Sequence, residues 1–167
     1  MMKNQNVVIY SDGACPGNQK SNPQGGYGAI VMHEGSTLEL AQGYRQTSNN
    51  RMELRAVIAA FKTIQCPSMV TVYSDSKYVT DAFNQQWIEN WLWNGWRNSK
   101  GKPVLNQDLW KELLEETISH KVTWKWVKGH STDTLNNRAD QLAVLAANSK
   151  SKLGDIGPTT VTIVNKY

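Results

Sequence analysis

Val7-Val8-Ile9-Tyr10-Ser11-Asp12-Gly13 and Thr71-Val72-Tyr73-Ser74-Asp75-Ser76 decide the fold. Each is a β-branched and aromatic run that ends in a carboxylate just before the chain turns away. Side chains alternate along a strand, so Val8, Tyr10 and Asp12 share one side, with Asp12 at the carboxyl end. Asp75 stands in the same relation to its own strand and directly precedes a helical pattern. If the two strands are parallel neighbours, both carboxylates meet at the carboxyl edge of the sheet, the usual place for an open α/β active site.

The elements around these strands complete an α/β layer pattern. After a Gly/Pro/Asn-rich loop from Gly13 to Gly26, residues 27–33 and 37–44 read as a hairpin turning at Glu34-Gly35. Ser48 or Asn49 caps a helix expected to run to about Gln65, since Met52, Ala56, Ala59, Ala60 and Thr63 recur at helical spacing and Pro67 follows. Residues 69–74 form the second acid-bearing strand, and Ser76 to Phe83 a helix. A Trp-rich segment spans Trp87 to Trp96, and an amphipathic helix runs from Leu105 to His120. Val122 to Val127 alternates as a strand, and Thr134 to Ala147 is an Ala/Leu-rich helix. Residues 148–167 carry Gly154, Gly157 and Pro158 and read as a flexible tail outside the core, leaving 1–147 as the catalytic domain.

Two further acids share the oddity of the first pair: Glu53 in NNRMEL and Asp140 in GHSTDTLNNRADQLA, each in the first two turns of a helix. Helices packed on the sheet can bring them over Asp12 and Asp75. Four carboxylates so close repel one another unless divalent cations neutralise them. Mg²⁺ suits such an oxygen set, and two ions can promote in-line displacement at a phosphodiester. Zinc does not fit, because His33, His120, His130, Cys15 and Cys66 show no ligand spacing.

Composition excludes other classes. A chain of 167 residues suits one domain. Two cysteines without a CxxC pair make no disulfide framework, so a reducing, cytoplasmic location is expected. No apolar run reaches the ~20 residues of a membrane span, and MMKNQNVVIYSDG meets an acid too soon for a secretory signal. The formal charge of +4 leans toward an anionic partner, weakly.

SDGACPGN, GGYGAIV, TSNNRMEL, TVYSDSKYV, KPVLNQDLW and WKWVKGHSTDTLNNRADQLA, in this order, resemble ribonuclease H type 1, the bacterial-type ribonuclease HI, to about Ala147. The resemblance implies a ribonuclease H-like fold, a mixed five-stranded sheet flanked by helices. It implies an endoribonuclease that hydrolyses the RNA strand of an RNA/DNA hybrid with two Mg²⁺ ions, for which Mn²⁺ substitutes, leaving 5′-phosphate and 3′-hydroxyl ends. A monomer without a membrane partner is expected. Asp12, Glu53, Asp75 and Asp140 match the family's metal-binding acids, with Asp12 bridging both ions. His130 matches a loop histidine that assists proton transfer or product release, with Gly129 letting the loop move.

Substrate-binding positions follow from the same resemblance: Cys15, Asn18, Asn49, Asn50 and Ser76 near the two strands, and Ser48 and Asn106 in a pocket for a DNA phosphate. Trp87, Trp91, Trp93 and Trp96, with Arg97, Lys100 and Lys102, match a basic protrusion that grips the DNA strand. This chain departs from the family where Leu92-Trp93-Asn94 replaces a stretch rich in Lys and Arg, and where Gln46 stands in place of an arginine of the phosphate pocket. The loop 15–25 is longer by about three residues, which bears on its contact with the RNA strand.

Structural alternatives weigh against single residues. Asp75 can cap the following helix, Asp140 can face solvent, and Cys15 can be a small buried side chain. Trp110, Trp124 and Trp126 read as packing residues, Trp87 as contact or core, and Lys77, Lys125 and Lys128 as solvated charges. A catalytically silent nucleic-acid-binding module, a reverse transcriptase fragment or another metal-dependent nuclease on the same fold are the competing functions.

Overall fold

The computed structural model describes residues 5–17 and 21–167. In chain order the elements are β1 (Gln5–Ala14), β2 (Gln24–His33), β3 (Ser36–Arg45), α1 (Asn49–Lys62), β4 (Ser68–Ser74), α2 (Lys77–Asn84), α3 (Trp87–Trp93), α4 (Gln107–Thr117), β5 (Lys121–Trp126), α5 (Thr134–Ala147), β6 (Lys152–Gly154) and β7 (Ile163–Lys166). The sheet is mixed, in the order β5-β4-β1-β2-β3-β6, with β7 also on β3. β1 and β2 and β3 form an antiparallel meander, while β4 pairs parallel with both β1 and β5. The β2–β3 turn falls at Glu34 and Gly35 with φ of 41° and 75°, the positive pair that a two-residue I′ hairpin turn requires.

Helix α1 is buried over more than one stripe: every residue from Met52 to Phe61 is buried, the charged Glu53 and Arg55 included. The reason is its position, with the sheet on one side and α4 on the other. Helix α5 lies on the opposite face, across β1, β2 and β3. There Gly26 and Gly28 let its backbone approach β2: a Cβ at Gly28 would stand 2.6 Å from Ala143 N.

The segment after α5 departs from the sequence-based expectation. Instead of a tail outside the core, residues 148–167 wrap back along β3, so the expected five-stranded sheet gains β6 and β7. An ion-pair anchor holds the segment. Arg55 is fully buried in α1, and the Asp155 side chain is 2% exposed. Asp155 accepts from Arg55 Nε at 2.8 Å, from Arg51 Nε at 2.6 Å and from Thr47 Oγ1 at 2.7 Å. Farther along, Thr159 N donates to Glu112 of α4 and Tyr27 Oη donates to Thr160 O.

Candidate active site

Strand pairing sets the site. β1 and β4 run parallel with Ser11 opposite Ser74, so Asp12 and Asp75 leave the sheet edge side by side. Asp75 does not cap α2: Ser76 does, accepting from Val79 N, which leaves the Asp75 carboxylate free. The Asp75 carbonyl accepts a hydrogen bond from Trp126 Nε1 at 3.0 Å. Trp126, expected as a packing residue, is 46% exposed; Trp124 and Trp110 are buried as expected.

Helix α1 delivers Glu53. Gly13, just past Asp12, lies so near the α1 backbone that a Cβ there would come within 2.7 Å of Met52 C. Ligand oxygens of Asp12, Glu53 and Asp75 lie within 4.8 Å of one another. Asp140 of α5 and His130 of the β5–α5 loop line the same open cleft of about 430 Å³. The α5 N-cap is Asp133, which receives Leu135 N and Asn136 N, so Asp140 is not used as a cap.

Electrostatics sets this cluster apart from an ordinary acidic surface. Burial, reinforced by the charge of Asp75, pushes the Asp12 carboxyl up to about 8. Glu53, buried at the cleft, is raised well above the usual carboxylate range by burial and then by Asp12, and burial raises Asp75 as well. Glu53 Oε2 is buried and has no hydrogen-bond partner among the described residues. A buried carboxylate oxygen without a donor is costly, and a bound cation removes that cost. The donors are carboxylate oxygens, which fits a hard, oxygen-preferring divalent ion.

Of the other expected contacts, Cys15, Asn49 and Ser76 line the cleft with the acids. Cys15 is buried, its Sγ facing Thr47 O at 3.9 Å. Asn50 is exposed one residue along α1, and Asn18 lies outside the described residues. Ser48 and Asn106 sit off the cleft near Arg51: Ser48 Oγ caps Arg51 N, and Arg51 Nη1 donates to Asn106 Oδ1 at 3.4 Å. Trp87 is half-buried and packs on Trp91, which in turn meets Trp110. Trp93 is 89% exposed.

Sequence reasoning missed the structural part of Gly129. It was assigned only to loop movement, yet a Cβ on it would stand 2.7 Å from Asp75 Oδ2. The available signal was the position of glycine beside His130 in a loop returning to the acids.

Acids gathered at the carboxyl ends of adjacent parallel strands, with helices closing over them, define a nuclease of ribonuclease H-like fold. The RNase H family model matches residues 4–148. The chain is 48% identical over 153 residues to the Ribonuclease H of Pseudoalteromonas atlantica, covering 92% of this chain and 97% of that protein. It is 43% identical over 155 residues to the Ribonuclease H of Trichodesmium erythraeum, covering 93% and 97%. Among solved structures it is similar to LC9-RNase H1, a type 1 RNase H with the type 2 active-site motif. That likeness has a TM-score of 0.81 at 30% identity and covers 99% of this chain and 79% of the other. The chain belongs to the ribonuclease H family, a family of metal-dependent nucleases. No helix among the described residues is long and apolar enough to cross a membrane.

Proposed function

We propose that this protein is an endoribonuclease that hydrolyses the RNA strand of RNA/DNA hybrids at the Asp12, Glu53, Asp75 and Asp140 cluster, leaving 5′-phosphate and 3′-hydroxyl ends. The observation that carries the reading is the three-carboxylate group within 4.8 Å, one oxygen of it buried without a donor, in a chain of this family. Two Mg²⁺ ions, or Mn²⁺ in their place, are the cofactors; held there, such a pair supplies Lewis-acid activation of the attacking oxygen and neutralisation at the leaving oxygen.

The protein groups then divide the work by position. Asp12, on the strand end beside Glu53 and Asp75, would be a ligand to the ions together with them. Asp140, lining the cleft from α5, would complete the oxygen set. His130 is exposed on its loop and lines the cleft, where its imidazole can move a proton at the leaving oxygen. Cys15, Asn49, Asn50 and Ser76 border the strands. Contacts across the wide, shallow minor groove distinguish ribose by its 2′-hydroxyl. Ser48 and Asn106 form the DNA-phosphate pocket, without the arginine that Gln46 does not supply; the adjoining Arg51 guanidinium is engaged by Asp108 and Asp155 and orients Asn106. Trp87 and the exposed Trp93 carry the DNA side of the protrusion, and Asn18 is assigned to substrate binding by the family resemblance alone. The protein acts as a monomer in the cytoplasm; two free cysteines suit a reducing compartment.

The test is incubation with labelled RNA/DNA hybrid, double-stranded RNA and single-stranded RNA, with Mg²⁺, Mn²⁺ or chelator. Cleavage of the hybrid alone, lost in chelator, is expected. Equal cleavage of double-stranded RNA, or activity that survives chelation, sinks the reading.

A further inference from the structure

Helix α5 covers β1, β2 and β3 but stops short of β4 and β5, whose outer face is left open among the described residues. Strand register arranges that face in rows. Tyr10, Tyr73 and Lys125 form the first row, and Val8, Thr71 and Thr123 the second. In the third, Met69 is paired with Lys121. Successive rows are about 7 Å apart, two residues of strand rise. Tyr10 and Tyr73 are half-buried and stacked, ring centroids 4.7 Å apart and planes 13° from parallel. Lys125 Nζ lies 5.7 Å from the Tyr73 ring centroid, on this open face.

Lysines on an outer strand alone have a simple explanation, since they discourage edge-to-edge pairing. That explanation does not reach the tyrosine stack, which lies on β1 and β4 inside the sheet. Nor does it account for position: Tyr10 and Tyr73 each precede an active-site acid by two residues. The open face therefore continues directly from the catalytic edge. Its charged groups within the rows are lysines, and Asp133, whose charge bears on Tyr10, is tied to the α5 N-cap.

We infer that this face binds the single-stranded continuation of the cleaved strand, as an accessory site for RNA beyond the hybrid. The inference rests on the proposed activity for the identity of that strand. Aromatic rings on a sheet, flanked by lysines, take bases by stacking and phosphates by charge, without sequence preference. A phosphate that draws Lys125 away from the ring opens the outer face of Tyr73 to a base. The strand whose phosphodiester lies over Asp12 and Asp75 is the one within reach.

The experiment compares hybrids that are blunt with hybrids carrying a 5′ or 3′ single-stranded RNA extension, and measures KM and kcat separately. The wild-type chain is expected to show a KM about tenfold lower for one extended hybrid, the size of a single base–aromatic stack, with kcat unchanged. Lys125→Glu and Tyr73→Leu should remove that difference and leave the blunt hybrid unaffected. In chelator, where no cleavage occurs, labelled oligouridylate should bind the wild-type chain more tightly than Lys125→Glu by anisotropy. Equal KM for blunt and extended hybrids, or variants that weaken both alike, overturns the accessory site while leaving the nuclease reading intact. Failure of the wild-type chain to cleave any hybrid overturns the nuclease reading, and the strand assignment with it.

Discussion

Gly129 stands against Asp75 so closely that a single added methyl would lie 2.7 Å from the carboxylate oxygen Oδ2. The loop after β5 thus serves as a wall that fixes the direction of a proposed metal ligand. Gly129→Ala should turn the Asp75 carboxylate while leaving the core unaltered, because the loop is outside it. A ten- to hundredfold loss of divalent-ion affinity is expected, the usual scale for outer contacts of a metal site. Calorimetric titration with Mn²⁺ measures it directly, and thermal unfolding of the metal-free variant should stay within about 1 kcal/mol of the wild type. Unchanged Mn²⁺ affinity contradicts the positioning role.

The same cluster gives the metal-free protein an unusual pH dependence. Asp12 rises from an ordinary 3.8 to about 8, mainly through burial, and Glu53 and Asp75 are raised in the same direction. A carboxyl raised on folding binds more protons in the native than in the unfolded state. Stability is then fullest below the unfolded value and falls as pH climbs through the folded one. Without metal, unfolding free energy should decline between about pH 4 and pH 8, and Asp12→Asn should flatten that decline. Saturating Mg²⁺ should restore stability at pH 8 in the wild type, by about 2.7 kcal/mol at one hundred times Kd. Asp12→Asn should nearly abolish hybrid cleavage. Urea titrations across this range, with and without the ion, decide the matter; a flat profile in metal-free wild type is the contrary result.

Much of the site could be read from sequence because its determinants are local. A strand that ends in Asp12 or Asp75, and the Ser48 start of α1, each fit within a few residues, and the hairpin at Glu34-Gly35 is set by two. The C-terminal segment was not legible for the opposite reason. Its attachment depends on Asp155 meeting Arg55 and Arg51 about a hundred residues earlier, and an arginine in a helix pattern looks like a surface residue. Trp126 misleads through alternation, which groups it with Trp124: β5 is the outer strand, and its last residue is left 46% exposed, with Lys77 over its ring and its Nε1 donating to Asp75 O. The place of Gly129 beside His130 is legible, but its contact with Asp75 is not, because the two are distant in sequence.

The buried anchor of that C-terminal segment makes a strong prediction of its own. Asp155→Ala leaves the Arg55 guanidinium buried without its carboxylate partner. Breaking a buried pair from one side costs about 3–5 kcal/mol. The loss should appear in urea unfolding as a lower midpoint. Because Arg51 also touches Asn106 and Asp108, hybrid KM should rise more than kcat falls. Asp155→Asn, which keeps hydrogen-bond capacity, should lose less. A variant as stable as wild type would mean that the segment contributes nothing to the fold.

Asp133 joins the His130 loop to the helix that carries Asp140. Its carboxylate receives Leu135 N at 3.1 Å and Asn136 N at 3.2 Å, while its own N–H donates to Ser131 Oγ. Removing the cap in Asp133→Ala should cost about 1 kcal/mol, and Asp133→Ser, which can still cap, should recover most of it. The catalytic effect should be larger than the stability loss implies, because both His130 and Asp140 depend on where α5 begins. A several-fold fall in kcat is expected, with KM for blunt hybrid little changed since Asp133 borders neither the phosphate pocket nor the protrusion. Single-turnover cleavage separates a slower chemical step from slower product release. If kcat in Asp133→Ala equals that of Asp133→Ser, the cap acts on stability alone and the loop is positioned by other contacts.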